Sequence, residues 1–311
     1  MFKNFGALFF LLSYSLAFQL EIGEAKHQID DPSEAGYYYF PPPMTLSGDK
    51  LVLLDMPDQA IRFYNASGQV ENTISVQKGA MATWGPFHDF VMLNPQQFFL
   101  TSWTKKSMVR MNESLGINDL LVMENGSLDY FASMGDAIFR DGFLFVNDLI
   151  GGSVRIFSKR GSYLGSVTGG GVQFFPFAAD EMLSIAERGG LSIIYKIRMD
   201  GSKIPFYEYP KGEDQEANTL RFVGIDDSRN VYVEKLYSAQ LGERKADLFR
   251  FSPSGVLTGI QTFPLSEKEY FEFENYFQIV HDGAMRISFV ESESKPDFLN
   301  IVPVVFQEIE K

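Results

Sequence analysis

The chain of 311 residues contains no cysteine. This absence excludes disulfide bonds, thiolate metal sites, thiol nucleophiles and an acylated lipoprotein cysteine. An exported chain of this length without disulfides suits a bacterial periplasm or cell surface better than an animal extracellular space. Histidine is also scarce, since His27, His88 and His281 are the only three, and their scattered positions imply no shared zinc site.

Basic residues are outnumbered by acidic ones. The 27 Lys and Arg against 40 Asp and Glu give a formal net charge of −13 and a pI near 4.8. A surface of this charge repels phosphate backbones and anionic lipid headgroups. We therefore expect no nucleic-acid partner.

One apolar run, from Phe5 to about Leu16, lies close to the N-terminus behind a single lysine. It is short for a membrane span, which needs about 20 residues, and Ser15 and Ala17 occupy the −3 and −1 positions of a cleavage site. The pattern predicts a signal peptide over residues 1–17, with residues 18–311 forming one domain without an integral membrane span. An uncleaved anchor or a buried strand is the alternative.

Strand-like apolar runs recur at fairly even spacing along the rest of the chain. The 30 Phe and 14 Tyr favour β-strands. The runs are LVLLDM, FFLTSW, LFVNDL, MLSIAE, VYVEKL and MRISFV, which begin at residues 51, 98, 144, 182, 231 and 285. Six units of similar length fill the chain, which indicates a repeat architecture.

The stretch FVGIDDSRNVYVEK, residues 222–235, shows what one unit contains. FVGID and VYVEKL are strands separated by a turn, because Asp, Ser and Asn side chains bond to nearby backbone and tolerate unusual dihedrals. ADLFRFS is a third strand, and VLTGIQTF a fourth, after a turn in which Gly255 supplies positive φ. The stretch is thus the first hairpin of a four-stranded unit.

Six units of four antiparallel strands predict an all-β, six-bladed β-propeller rather than a solenoid. The last unit shows only three strands, and an open edge strand invites aggregation. We therefore expect a strand from about residues 18–40 to complete the last blade and close the ring. A two-domain β-sandwich is the structural alternative.

The units resemble the NHL-repeat family of six-bladed propellers. The family motif combines a Gly-rich crossover, a Phe and Pro, an acidic turn, a V-Y-V-type strand, an aliphatic-x-x-F strand and a turn ending in Gly. It matches GGGVQFFPFAADEMLSIAE (169–187), FVGIDDSRNVYVEK (222–235) and GSVRIFSKRGSYLGSV (152–167), and the resemblance covers nearly all of residues 40–306. The family's Asp-x-x-Asn-x-Arg run is represented only in part, by NDLIGGSVR. The resemblance implies an architecture; propellers host binding modules, lactonases, lyases and oxidoreductases.

Ligands of propellers bind at the channel mouth, where the innermost strands begin. Alignment of the units on their second strands places Asp136 at the start of an inner strand, His88 and Asp89 one blade earlier, and Arg221 in the fifth blade. We expect these four residues to form a polar cluster at one end of the channel. The alternative is that they are solvated loop residues.

The sequence contains no G-x-S-x-G elbow of the kind that serine hydrolases use. The leading hypothesis is a secreted or periplasmic binding or scaffold module, without a cofactor, whose loops contact a protein or glycan partner. The alternative is a calcium-assisted hydrolase or lactonase of the gluconolactonase-like propeller class, with the ion held by carboxylates such as Asp89 and Asp136, because calcium accepts oxygens from separate loops. An envelope component with no small ligand is the third hypothesis.

Overall fold

The computed structural model confirms the predicted all-β, six-bladed propeller. It describes residues 17–22, 42–102, 104–112, 117–122, 134–148, 152–168, 173–178, 180–188, 191–198, 200–210, 220–238, 244–266, 269, 276–280, 282–290 and 297–309. Residues 1–16 of the expected signal peptide lie outside the described residues, as do His27 and His281.

Each blade is one antiparallel sheet, and the strands are numbered here in chain order, beginning with β1 at Phe18–Ile22. Blade 1 contains β2 Met44–Ser47, β3 Lys50–Asp55, β4 Ala60–Tyr64 and β5 Val70–Ser75. Blade 2 contains β6 Asp89–Asn94, β7 Gln97–Ser102, β8 Ser107–Asn112 and β9 Ile117–Val122. Blade 3 contains β10 Met134–Arg140, β11 Phe143–Asp148, β12 Ser153–Ser158 and β13 Tyr163–Thr168.

The second half of the chain continues the pattern with longer strands. Blade 4 contains β14 Gln173–Ala178, β15 Glu181–Arg188, β16 Leu191–Arg198 and β17 Lys203–Pro210. Blade 5 contains β18 Leu220–Ile225, β19 Val231–Ser238, β20 Arg244–Phe251 and β21 Leu257–Leu265. Blade 6 contains β22 Phe277–Val280, β23 Gly283–Val290 and β24 Asp297–Pro303, followed by the two-residue strand β25 Gln307–Glu308.

The ring closes through β1, as the sequence predicts. This strand pairs antiparallel with β24 and becomes the outer strand of blade 6. Its Phe18 and Leu20 are each 1% exposed and join the hydrophobic core, whereas Gln19 faces solvent. At the other end of the chain β25 pairs with β21, which adds a fifth strand to blade 5.

The turns between third and fourth strands repeat the same construction. In blade 1, Asn65 Oδ1 accepts hydrogen bonds from the backbone N–H groups of Ser67 and Gln69, each at 3.0 Å. The strand register then shifts at Phe63 and Tyr64, as it does at the corresponding place in blades 3, 4 and 5. Because a bulge increases the local twist, its repetition gives these blades a similar shape.

The hydrophobic cores fill the seams between neighbouring blades. One cluster joins blades 1 and 2 through Val52, Phe63 and Phe98, and another joins blades 4 and 5 through Ile194 and Phe249. Burial of such side chains contributes about 1.5–3 kcal/mol each. Each blade therefore depends on its neighbours for most of its stability.

The crossover from blade 1 to blade 2 contains α1, a helix of seven residues at Lys78–Trp84. It has no buried residue and was not predicted, since it is too short to show a helical period. Within the described ranges, no helix combines the length and apolar content that crossing a bilayer requires.

Candidate functional site at the channel mouth

The first strands of the blades surround the central channel. β6 contacts β10, β10 contacts β14, β14 contacts β18, β18 contacts β22, and β22 contacts β2. Because the innermost strands of a propeller run in the same direction, their first residues meet at one end, here called the channel mouth. The opposite end, where these strands finish, is called the lower end.

The four sequence-predicted residues lie at or close to the starts of first strands, and their role in ligand binding stays a prediction. His88 directly precedes β6, and Asp89 is its first residue. Asp136 is the third residue of β10, although its side chain lies outside the description. Arg221 is the second residue of β18.

Asp89 joins blade 2 to blade 3. Its Oδ1 accepts a hydrogen bond from the N–H of Phe90 at 2.8 Å, and its Oδ2 accepts one from the N–H of Ala137 at 3.3 Å. Ala137 follows Asp136 in β10, so the structure brings Asp89 to the strand that carries Asp136. Arg221 lies on the other side of the channel, in blade 5.

His88 is 7% exposed, and its backbone N–H donates to the carbonyl of Thr101 at 2.9 Å. Burial lowers the pKa of His88. The imidazole is therefore neutral at pH 7 and does not add a positive charge to the channel mouth.

The crossover that carries His88 is fixed by Gln59. Its side-chain amide donates to the carbonyl of Phe87 at 2.9 Å, and its Oε1 accepts the N–H of Phe87 at 2.7 Å. The same amide donates to the carbonyl of Met56 at 2.7 Å. Gln59 is 3% exposed, so these bonds are shielded from water and hold the entry into β6 against blade 1.

Arg221 forms an ion pair with Glu234, the residue opposite it on β19. The two side chains differ sharply in exposure, since that of Arg221 is 32% exposed and that of Glu234 is 1% exposed. Burial raises the pKa of Glu234, while the neighbouring Arg221 and Arg286 act to lower it. The pair thus combines a partly exposed cation near the start of β18 with a carboxyl that the protein encloses.

A second ion pair lies beside the first, between blades 5 and 6. Arg286 Nη2 contacts Glu269 Oε1 at 2.9 Å, and both side chains are almost fully buried. Tyr276 precedes β22 and donates its hydroxyl to the carbonyl of Glu269 at 3.1 Å. Burial raises the pKa of Tyr276 to about 12, with Glu234 as the next contribution, so the phenol stays neutral.

Two further ion pairs have the same sequence spacing and begin at the same place in their blades, the end of the second strand. Asp55 ends β3 and contacts Arg62 at 2.9 Å, and Asp148 ends β11 and contacts Arg155 at 3.3 Å, seven residues away in each case. All four side chains are largely buried. These pairs stiffen the blades beneath the mouth, and the NDLIGGSVR stretch contains the second of them.

The lower end of the channel is crossed by Arg140, the last residue of β10 in blade 3. Its guanidinium donates to the carbonyls of Ile225 and Asp226 in blade 5 at 3.2 and 3.1 Å. Next to it, Asp141 and Arg229 form an ion pair of 3.5 Å between the same two blades. The two ends of the channel therefore differ in construction.

Sequence reasoning identified Arg221 and missed Glu234, Glu269 and Arg286. The available signal was a charged residue inside an apolar strand, as in VYVEKL and MRISFV. Among the residues that the structure describes, no group of three or more His, Asp or Glu is placed to hold a metal ion.

Comparison with known proteins gives similarity in fold. No protein-family model matches the chain, and no curated protein matches it either. A member of the DUF4221 family from Bacteroides vulgatus superposes with a TM-score of 0.56 at 9% identity, over 95% of this chain and 98% of that one. A protein from Bacteroides fragilis described as exported gives a TM-score of 0.54 at 10% identity, over 94% and 96%. The NHL-repeat resemblance stays a prediction.

Proposed function

We propose that the protein is an exported binding module that holds a protein or glycan partner at the channel mouth. The observation that carries this proposal is the arrangement of Arg221, whose side chain is 32% exposed while that of its partner Glu234 is 1% exposed. A guanidinium that is held by a buried carboxylate offers directional donors to a partner and loses little side-chain entropy on binding. At the lower end, the guanidinium of Arg140 crosses the channel and is already bonded to two backbone carbonyls. This arrangement favours the mouth as the binding face.

Export is the second part of the proposal. Its support is the N-terminal sequence, with an apolar run and small residues at Ser15 and Ala17. The structure from Bacteroides fragilis with the same fold is itself described as an exported protein. Appearance of the expressed full-length chain outside the cytoplasm, shortened by residues 1–17 in mass spectrometry, is the expected result.

Binding is tested with residues 18–311, which contain every described strand, on arrays of glycans and of purified envelope proteins. The double variant Arg221→Gln, Glu234→Gln removes both charges of the mouth pair together. Arg229→Gln is the matched control, because it removes an arginine from the lower end. A partner retained by the control and lost by the double variant supports the proposal; equal binding by both variants contradicts it.

A calcium-assisted hydrolase or lactonase is the second candidate. It is favoured by the position of Asp89, which lies at the mouth against the strand that carries Asp136. A ligand that binds only the folded state raises the free energy of unfolding by RT ln(1 + [L]/Kd), and the unfolding temperature rises with it. Stabilisation by millimolar calcium over EDTA that is lost in Asp89→Asn, together with turnover of a lactone, would replace the binding module with the enzyme. An unchanged unfolding temperature removes this candidate.

A further inference from the structure

An open groove of about 880 Å³ lies at the seam between blades 6 and 1. It is lined by residues 17–19 at the start of β1, by residues 66–70 of blade 1, and by Phe298, Asn300 and Val302 of β24. These three residues share one face of β24, because alternate residues of a strand point to the same side, and the residues between them are buried in the core. The turn at 66–70 joins a third strand to a fourth, which places the groove at the lower end of the propeller.

The walls of the groove are held against each other. The turn of blade 1 packs directly on the backbone of β1, since a Cβ on Gly68 would lie 2.2 Å from the carbonyl oxygen of Gln19. Asn65 closes the same turn with hydrogen bonds to its backbone. The groove is therefore preformed, and a partner that enters it does not have to order its walls.

Val305 projects from the chain three residues after Val302. It is 73% exposed, the largest exposed fraction among the large apolar side chains that the structure describes. Val304 on one side is buried, and Phe306 on the other packs against Gly259 in blade 5. Val305 is thus an apolar projection that is held from both sides.

The surface that carries the groove and Val305 has no charged residue of its own. Neither the groove lining nor residues 298–307 contain one, although 22% of the chain is charged. Glu71, next to the turn of blade 1, forms an ion pair of 2.6 Å with Lys50. Two copies with a formal charge of −13 repel each other, so a contact between copies is favoured where the surface lacks charge.

We propose that the groove and Val305 form the interface of a homodimer, in which Val305 of each copy enters the groove of the other. A two-fold interface uses the same patch on both copies, so it requires a projection and a hollow close together. Three residues span at most about 11 Å, which places Val305 near Val302 in the groove wall. Val302 is 39% exposed, and the contact would cover it.

This inference goes beyond the proposed function. The interface lies at the lower end of the propeller, so a dimer joined there leaves both channel mouths free. A dimer of this kind would offer a partner two mouths at once.

The test is sedimentation of residues 17–311, which include every residue that the structure describes, at concentrations from about 1 µM to about 1 mM. We expect a monomer–dimer equilibrium that shifts to the dimer as the concentration rises. Added salt should strengthen the dimer, because salt screens the repulsion between two acidic copies. A contact made by ion pairs would weaken with salt instead.

Two variants test the two halves of the interface. Val305→Glu would place a charge in an apolar contact, so the dissociation constant should rise by about tenfold or more. Val302→Ser should raise it by a smaller factor. Leu164→Glu is the matched control for the first variant, because Leu164 is also exposed at the lower end but lies in blade 3, and it should dimerise like the parent protein. Thermal unfolding checks that all three variants are folded.

Four results would overturn the inference: a monomer at every concentration, a dimer that salt weakens, a dimer that Val305→Glu leaves unchanged, or an equal loss in Leu164→Glu. A monomeric parent protein that retains an array protein through Val305 would show that this surface serves another partner, and the homodimer would be wrong. Val305→Glu is expected to keep any array partner that depends on Arg221. Failure of the dimer and failure of binding at the mouth are therefore separate results.

Discussion

Gln59 and Phe87 are joined by two hydrogen bonds, in which one side-chain amide of blade 1 binds both backbone groups of a residue 28 positions later. The contact holds the crossover that delivers His88 and Asp89 to the channel mouth. A side chain in a turn of one blade thus sets the position of the next blade's first strand.

Replacing Gln59 with alanine should lower the free energy of unfolding by roughly 2–4 kcal/mol, because the buried N–H and C=O of Phe87 lose their partners. Urea unfolding followed by tyrosine and tryptophan fluorescence measures the change. Gln96→Ala is the control, since Gln96 is exposed and should shift stability by less than about 0.5 kcal/mol. Equal midpoints for the two variants would contradict the assigned role.

Substitution of Gly255 and of Gly201 distinguishes the energetic cost of backbone strain from that of a steric clash. Both have positive φ, +85° and +80°, but a Cβ on Gly255 would lie 2.2 Å from the carbonyl oxygen of Phe206, whereas one on Gly201 would meet nothing within 4 Å. Gly201→Ala should cost about 1–2 kcal/mol from strain. Gly255→Ala should cost another 1–3 kcal/mol or so from the clash between blades 4 and 5. Thermal unfolding of the two variants side by side compares these costs.

Closure of the ring by β1 predicts that Leu20 matters and Gln19 does not. Leu20 is 1% exposed in the core cluster that joins blades 5, 6 and 1, and Gln19 faces solvent. Leu20→Ala should therefore cost about 2–5 kcal/mol. Gln19→Ala should be neutral, and limited proteolysis should release fragments of blade 6 only from the Leu20 variant. Protection of both variants would mean that β1 does not hold the ring.

Glu234 should make the fold less stable as the pH rises. Its pKa is raised by burial above its ordinary value of 4.5. At pH values between the ordinary pKa and the raised pKa, Glu234 holds a proton in the folded state that it has lost in the unfolded state. The free energy of unfolding therefore falls as the pH increases. Glu234→Gln should flatten this part of the slope between pH 5 and pH 8 in urea unfolding.

Asp200 provides the control of opposite sign. Hydrogen bonds from Ser202 lower the pKa of this exposed carboxyl below its ordinary value of 3.8, so any contribution is lost only as the pH falls below that value. Asp200→Asn should therefore leave the slope between pH 5 and pH 8 unchanged. A slope that Glu234→Gln also leaves unchanged would show that Glu234 is ionised throughout the window.

Much of the fold could be predicted because its signals are local. Strand alternation marks the units, similar turns recur around Asn65, Gly201 and Gly255 in blades 1, 4 and 5, and the incomplete last unit required a strand from the N-terminal side. The two-residue strand β25 could not be predicted, because its pairing with Gly259 and Ile260 depends on where blade 6 delivers the chain.

The positions of the candidate residues were more predictable than their partners. Alignment of the units correctly places Asp89 and Arg221 where first strands begin, and their role in binding stays a prediction. Glu234 and Arg286 were missed because a charged residue inside an apolar strand looks the same whether it faces water or a partner. Only the pairing of β18 with β19 and the approach of blade 6 show which partner each one has.

The bonds from Arg140 to the carbonyls of Ile225 and Asp226 connect blade 3 to blade 5 and skip the blade between them. In a ring of blades that contact only their neighbours, loosening one blade opens the ring. Because the side chain of Arg140 bypasses blade 4, its hydrogen bonds keep blades 3 and 5 at a fixed separation even when blade 4 moves. On that side the propeller therefore has a direct link between blades 3 and 5 that does not depend on the packing of blade 4.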